Sequence, residues 1–186
     1  MELGANIRRL RGDLGLSLEA LSERSGVSRA MLSDIERGVK SPTIRVVSQI
    51  AAGLGCSVSR LLGEEAGQAR EAMQVLRRGD RQVLVDPKSG VERHLLSPRF
   101  LRRGLELVWY SLPPGQSTGT FPAHRPGSEE HITVVWGTLR CRIGESEATL
   151  QAGDSLSFRA DLEHAFENVS GEVCGYFLVI DSGSAR

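Results

Sequence analysis

The chain has 186 residues, 40% of them hydrophobic, and its 23 basic and 23 acidic side chains cancel. That length accommodates one or two domains, each with a core of its own. No apolar run approaches the ~18 residues of a membrane span, and the amino terminus lacks a charged start, an apolar core and a small-residue cleavage site, so a soluble, cytoplasmic protein without a membrane partner is expected.

The first predicted element is a helix near Leu3 to Asp13, with Ile7, Leu10 and Leu14 facing inward. Beyond Ser17 the run LEALSERSGVSRAMLSDIERG places Leu18, Leu21 and Val27, then Met31, Leu32 and Ile35, at three- and four-residue intervals. Two short helices that each bury one stripe follow from that period. Ser17 is a good N-cap with Glu19 in the first turn, Gly26 takes the positive backbone dihedral of the turn, Ser28 caps the second helix and Gly38 ends it. A fourth helix near Thr43 to Leu54 and a short fifth near Val58 to Leu62 complete a set able to close one small core.

The segment from Leu3 to Leu62 resembles the lambda-repressor-like helix-turn-helix domain of the xenobiotic-response-element (XRE) family, through the SGVS turn, the LSDIERG helix and the SPT start of helix four. The resemblance implies that the helix beginning at Ser28 enters a DNA major groove and offers Ser28, Arg29, Ala30, Ser33 and Asp34 to base edges. Arg29 is the best reader, since a guanidinium pairs bidentately with guanine, whereas Ala30 offers only a methyl. Ser17, Arg37, Lys40, Ser41 and Thr43 fall on the rim, where side chains and helix-start amides hold phosphates. On a generic helix Arg29 and Arg37 would be solvated charges; the motif gives them this role. Residues 1–63 carry nine basic and six acidic side chains, the remainder 14 and 17. So modest a basic excess implies weak binding by a single head, and a homodimer reading two half-sites of a double-stranded operator is expected.

Residues 64–72, within the polar run GEEAGQAREA, read as a linker, either helix or flexible tether. From residue 73 to 186 the texture changes. MQVLRR, RQVLVD, VERHLLS, LELVWYSL, HITVVWG, TLRCRIG, EATLQ, DSLSFR, HAFENV and VCGYFLVI are short runs rich in branched and aromatic residues, punctuated by Gly, Pro, Asp or Ser. About ten strands at near-regular spacing mean a sandwich or a barrel. The fold class expected is therefore a two-domain α + β chain, a five-helix head (1–63) followed by a β-barrel (73–186). Cys56, Cys141 and Cys174, odd in number and widely spaced, fit neither a disulfide frame nor a zinc ribbon. They read as small core residues, with redox sensing by Cys141 and Cys174 the lesser alternative.

In PPGQSTGTFPAHRPGSEEHITVVWG, His124 is followed six residues later by Glu130 and then by Gly137; in GDSLSFRADLEHAFEN, Gly153 precedes His164 by eleven residues and Asn168 follows it. This resembles the two motifs of the cupin family, whose fold is a jelly-roll barrel, over roughly residues 73–182. The chain departs from the pattern where Pro126 stands for the second histidine of the His-x-His pair, Arg159 for a proline and Asp161 for a glycine. By strand alternation Glu130, Ile132, Val134 and Trp136 share the inward face, and His164 shares one with Phe166 and Asn168. His124, Glu130 and His164 then form a two-His, one-carboxylate set suited to one divalent metal, Zn(II), Fe(II), Mn(II) or Ni(II). The same residues can instead hydrogen-bond one another and an effector, as buried polar groups must. His131 falls on the outer face, and His94 has no evident partner.

Phe121, Arg125, Phe158, Phe166 and Tyr176, with Trp109 and Tyr110, are candidates for an effector pocket of apolar walls with Arg125 as the anchor for a carboxylate. Together the two likenesses resemble transcriptional regulators with a helix-turn-helix head and a cupin sensor. That family implies a DNA-binding repressor, not an enzyme, whose barrel binds a small-molecule effector such as an amino acid, a polyamine or a sulfur compound and so alters operator affinity. Two other readings stay open. The layout is also similar to the mononuclear iron epoxidase of phosphonate antibiotic synthesis, which would make the chain a metal-dependent oxygenase with a vestigial head. A constitutive repressor whose barrel only dimerises is the third.

Overall fold

The computed structural model describes residues 3–63 and 73–183. The chain divides into two compact units, residues 1–64 and 65–186, and the expected linker, 64–72, lies outside the described residues.

The first unit consists of α1 (Leu3–Asp13), α2 (Leu18–Ser25), α3 (Arg29–Glu36), α4 (Ile44–Leu54) and α5 (Val58–Leu61). Its helix starts are set by hydroxyl caps. Ser17 Oγ accepts from the Ala20 amide at 3.1 Å, Ser28 Oγ from Met31 at 3.3 Å, Thr43 Oγ1 from Val46 at 3.3 Å and Ser57 Oγ from Arg60 at 3.2 Å, each cap contributing about 1 kcal/mol. Gly26, at φ +68°, closes α2 in the left-handed region and turns the chain into α3. Arg37 occupies the C-cap of α3, and Gly38 one residue later carries the positive φ.

Ile7, Leu10, Leu21, Val27, Leu32, Ile35, Val47, Ile50 and Leu61 fill the core of this unit. Leu14 does not join it. The helix ends at Asp13, the turn carries Leu14 off the apolar stripe, and it is 52% exposed. Two contacts dock α1 on the end of α3. A Cβ on Gly4 would stand 2.2 Å from the Ile35 carbonyl oxygen, so only glycine permits this approach. Arg11 grips Glu36 with two bonds, Nε to Oε1 at 2.7 Å and Nη2 to Oε2 at 2.9 Å.

The second unit contains β1 (Val83–Val85), β2 (Glu92–Leu95), β3 (Leu105–Leu112), β4 (Ser117–Phe121), β5 (Glu129–Trp136), β6 (Thr138–Ile143), β7 (Ser146–Gln151), β8 (Ser155–Arg159), β9 (His164–Asn168) and β10 (Cys174–Asp181). They form a six-stranded sheet, β1-β2-β3-β10-β5-β8, and a four-stranded sheet, β4-β9-β6-β7. Every pairing is antiparallel, the two-sheet arrangement of a jelly-roll cupin.

Three sequence expectations need correction. MQVLRR is not a strand; Met73 and Val75 are exposed, and a 3-10 turn at Arg78–Asp80 follows. An unexpected strand appears at Ser117–Phe121, whose polar STGTF composition hid it; the buried Thr118 hydroxyl accepts from the Phe166 amide at 3.2 Å. Trp136 leaves the inward face. A bulge opposite Gly175 and Tyr176 shifts the register, so Val134 pairs with Tyr176 and Trp136 with Gly175. Trp136 is then 49% exposed and packs against Trp109 in a tilted arrangement, with ring centroids 4.8 Å apart.

The inner face of the six-stranded sheet is a grid fixed by these registers. One row runs Glu106, Ile180, Glu130, Phe158; the next Val108, Leu178, Ile132, Leu156; the next Arg93, Tyr110, Tyr176, Val134. From the other sheet Phe121 and His164 are cross-strand neighbours, as are Phe166 and Cys141.

Candidate functional site

In the helical unit, the start of α2 and the outer side of α3 border an open cleft of about 520 Å³ lined by Ser17, Leu18, Glu19, Arg29, Ala30, Ser33, Asp34 and Arg37. Ser28, Arg29 and Ala30 are exposed, while Ser33 and Asp34 are half-buried. Asp34 organises the end of α3. Its carboxylate takes Arg37 Nη2 at 2.7 Å and Lys40 Nζ at 2.9 Å, and Arg37 Nη1 donates to Ser33 Oγ at 2.9 Å. Lys40, the larger influence, and Arg37 hold the Asp34 carboxyl below the usual carboxylate range. Arg29 lies 3.5 Å from Glu19 across the cleft, an exposed pair that yields readily to another acceptor. The hydroxyls of Ser17, Ser28 and Thr43 accept from helix-start amides and keep their own protons for donation. Ser41 is exposed at the turn before α4.

In the barrel, His124, Glu130 and His164 meet. One ligand-type atom from each lies within 4.8 Å of the others. His124 Nε2 is 2.9 Å and His164 Nε2 3.6 Å from Glu130 Oε1. The register of β5 and β9 aims Glu130 and His164 inward, and the loop carrying His124 is pinned by its amide on the Ala160 carbonyl at 2.8 Å. Glu130 and His164 are buried, and Glu130 Oε2 has no hydrogen-bond partner. His164 Nδ1 donates to the Leu162 carbonyl at 2.9 Å, which in the neutral ring leaves the Nε2 lone pair toward Glu130. A lone pair facing a carboxylate oxygen, with a second oxygen unpartnered, is a donor set that fits a cation. The three residues would hold a divalent metal, which supplies a Lewis-acidic position for an oxygen or nitrogen of a bound molecule.

Phe121, Phe158 and Phe166 surround His164, with ring centroids at 5.5, 5.4 and 5.6 Å, and Tyr176 lies against Phe166 at 5.8 Å. Other residues singled out in the sequence lie away from this cluster. Arg125 is exposed and its guanidinium donates to the Ser182 and Gly183 carbonyls, so it is engaged by the chain end and does not serve as the pocket's anchor. Trp109 belongs to the outer face with Trp136 and Phe177. His94 has a partner after all, Glu92 at 2.8 Å, while His131 bonds Ser157 at 2.7 Å on the outer face. Arg159 and Asp161, which replace the usual proline and glycine, pair with each other at 3.0 Å. The Asn168 amide braces the Leu112 and Glu172 carbonyls at 3.0 and 2.7 Å.

Sequence reasoning missed one feature, a buried Arg93–Glu106 ion pair inside the barrel. The signal was available: in VERHLL, Arg93 alternates with Val91 and Leu95, and in LELVWYSL, Glu106 alternates with Val108, Tyr110 and Leu112. Burial pushes the Tyr110 hydroxyl up to about 12 and Tyr176 well above its ordinary value. Cys141 and Cys174 are buried, their thiols pushed by burial up to about 12 and about 11.

A helix-turn-helix family model (HTH_3) matches residues 7–61 and a cupin domain model (Cupin_2) residues 108–180. The chain is 29% identical to the HTH-type transcriptional regulator SutR of Escherichia coli over 175 residues, 94% of this chain and 91% of that protein. It is 28% identical to the HTH-type transcriptional regulator PuuR of the same organism over 171 residues, 92% of this chain and 90% of that protein. Among solved structures, an HTH_3 family transcriptional regulator from Vibrio cholerae superposes with a TM-score of 0.79 at 28% identity, covering 96% of this chain and 94% of that one. The chain carries an XRE-type helix-turn-helix domain followed by a cupin domain, the two-domain layout of a transcriptional regulator. A structure of FeII HppE matches at a TM-score of 0.53 and 18% identity over 96% of this chain and 97% of that one, a likeness of fold alone. Among the described residues no helix is long and apolar enough to cross a membrane.

Proposed function

We propose that the protein is a sequence-specific repressor that binds its operator as a homodimer through α3 and is modulated by a small metabolite held in the cupin barrel. Arg29 reads a base edge, with Ser28, Ala30, Ser33 and Asp34 beside it, and Ser17, Arg37, Lys40, Ser41 and Thr43 hold the backbone. The observation that carries this reading is the concave surface at α2 and α3, lined by an exposed Arg29 and by Arg37, which Asp34 orders together with Lys40. His124, Glu130 and His164 hold one divalent metal, and Phe121, Phe158, Phe166 and Tyr176 wall the space beside it.

The test separates reading from gripping. On an operator duplex selected from a random pool, Arg29→Ala should lose about 1–3 kcal/mol and relax preference at one base position. Arg37→Ala should weaken all sequences alike and lower the salt slope by about one. An Arg29→Ala protein with unaltered affinity and preference contradicts the assignment. The oxygenase alternative draws only on the His124, Glu130 and His164 set; iron-dependent oxygen uptake with a phosphonate or thiol substrate would establish it.

A further inference from the structure

The barrel holds charged groups that the His124, Glu130 and His164 set does not use. Arg93 and Glu106 are ion-paired inside it, at 2% and 4% exposure. Arg93 lies on the same transverse row as Tyr110 and Tyr176, and Glu106 on the same row as Glu130, so the ion pair bridges the two rows. Glu106 and Glu130 are separated by the width of β10, two strand spacings or about 10 Å. Ile180, between them, is only partly buried. Arg93 also hydrogen-bonds the Tyr110 hydroxyl. The Tyr110 ring is stacked on Tyr176, centroids 5.2 Å apart and planes at 9°, and the Tyr176 hydroxyl is fully buried without a hydrogen-bond partner.

A buried ion pair is a poor stabilising device, because apolar residues of similar volume commonly serve as well or better. An unpartnered buried hydroxyl beside it is a second departure from a packed core. Both are accounted for by a ligand. A plain carboxylate that took Arg93 would strand Glu106, and a plain ammonium that took Glu106 would strand Arg93, each leaving an uncompensated buried charge. A molecule that brings both charges leaves neither stranded. We propose that the Arg93–Glu106 pair, with the Tyr176 hydroxyl, is the recognition arm of the barrel's ligand site and takes a small zwitterion carrying one ammonium and one carboxylate. Its carboxylate meets the Arg93 guanidinium, its ammonium meets Glu106, and the Tyr176 hydroxyl donates to the ligand. This deepens the reading of the barrel as an effector site and rests on it.

The experiment is titration calorimetry on the full-length chain with free L-amino acids one at a time, and with acetate and 1,4-diaminobutane as carboxylate-only and ammonium-only probes. At least one amino acid should bind, with the two probes that carry charge of one sign only weaker by more than about tenfold. The double variant Arg93→Met/Glu106→Met, which removes both charges together, should keep its circular dichroism and lose more than about tenfold in affinity. Tyr176→Phe should stay folded and weaken binding by roughly tenfold. Absence of amino acid binding, equal binding of acetate or the diamine, or a folded double variant with wild-type affinity overturns the proposal. If the double variant does not fold, Tyr176→Phe decides, and unchanged affinity overturns it. Operator retention is measured on the same sample: a wild-type chain that holds DNA but no amino acid defeats the zwitterion site alone, whereas loss of DNA retention defeats the reading of the head.

Discussion

Asp34 holds two of the cations that the proposed DNA rim depends on. Because Lys40 and Arg37 lower its pKa, the folded state favours the ionised carboxylate. The stabilisation this gives is complete above the ordinary value of about 3.9 and is lost as pH falls through the lower folded one. A carbon-detected NMR titration should place the Asp34 midpoint below that value, and a midpoint at or above it contradicts the network. The cysteines give a second prediction at this scale. At pH 8 a colorimetric thiol reagent should find only the partly exposed Cys56 in the native chain and all three cysteines after unfolding. Fast reaction of Cys141 or Cys174 in the native state would revive a redox role. At single positions the sequence reading was sound for the caps Ser17 and Ser28, whose hydroxyls act through local backbone geometry. It misjudged Arg125, because the carbonyls that engage it lie 57 and 58 residues away along the chain.

At the scale of elements, glycine decides how closely two helices dock. Gly4→Ala would drive a methyl into the Ile35 carbonyl, and overpacking of this kind costs about 2 kcal/mol. Calorimetry should show a clear fall in melting temperature, and an unchanged melting temperature would mean that α1 packs differently. All five helices were legible in the sequence because each has a 3.6-residue stripe and most begin with a hydroxyl cap. Strands were less legible. Ser117–Phe121 is a strand through its partner β9 and not through its own composition, while MQVLRR has strand-forming residues and no sheet position. The parity argument for β5 held at Glu130, Ile132 and Val134 and failed at Trp136, since a bulge depends on the neighbouring strand.

Across the whole molecule, the double likeness was legible from the LSDIERG and cupin motifs, and the family matches agree with it. The charged grid inside the barrel was not assembled from sequence, because alternation gives the face of each strand and not the registers that bring Arg93 to Glu106. The metal reading makes a prediction here. Protein prepared without chelator should carry about one divalent ion per chain, and Glu130→Gln or His164→Ala should hold less than roughly a tenth of that. Wild-type protein with no metal after loading, and with an unshifted melting temperature, would leave the triad as a hydrogen-bonded cluster.

The most direct measurement is fluorescence anisotropy of the purified chain against its selected operator and a scrambled duplex of the same length, repeated from low to physiological salt. The account predicts retention of both duplexes at low salt, a steep fall with salt, and an operator preference of at least about 10³-fold at physiological salt. A chain that retains no duplex even at low ionic strength would contradict it.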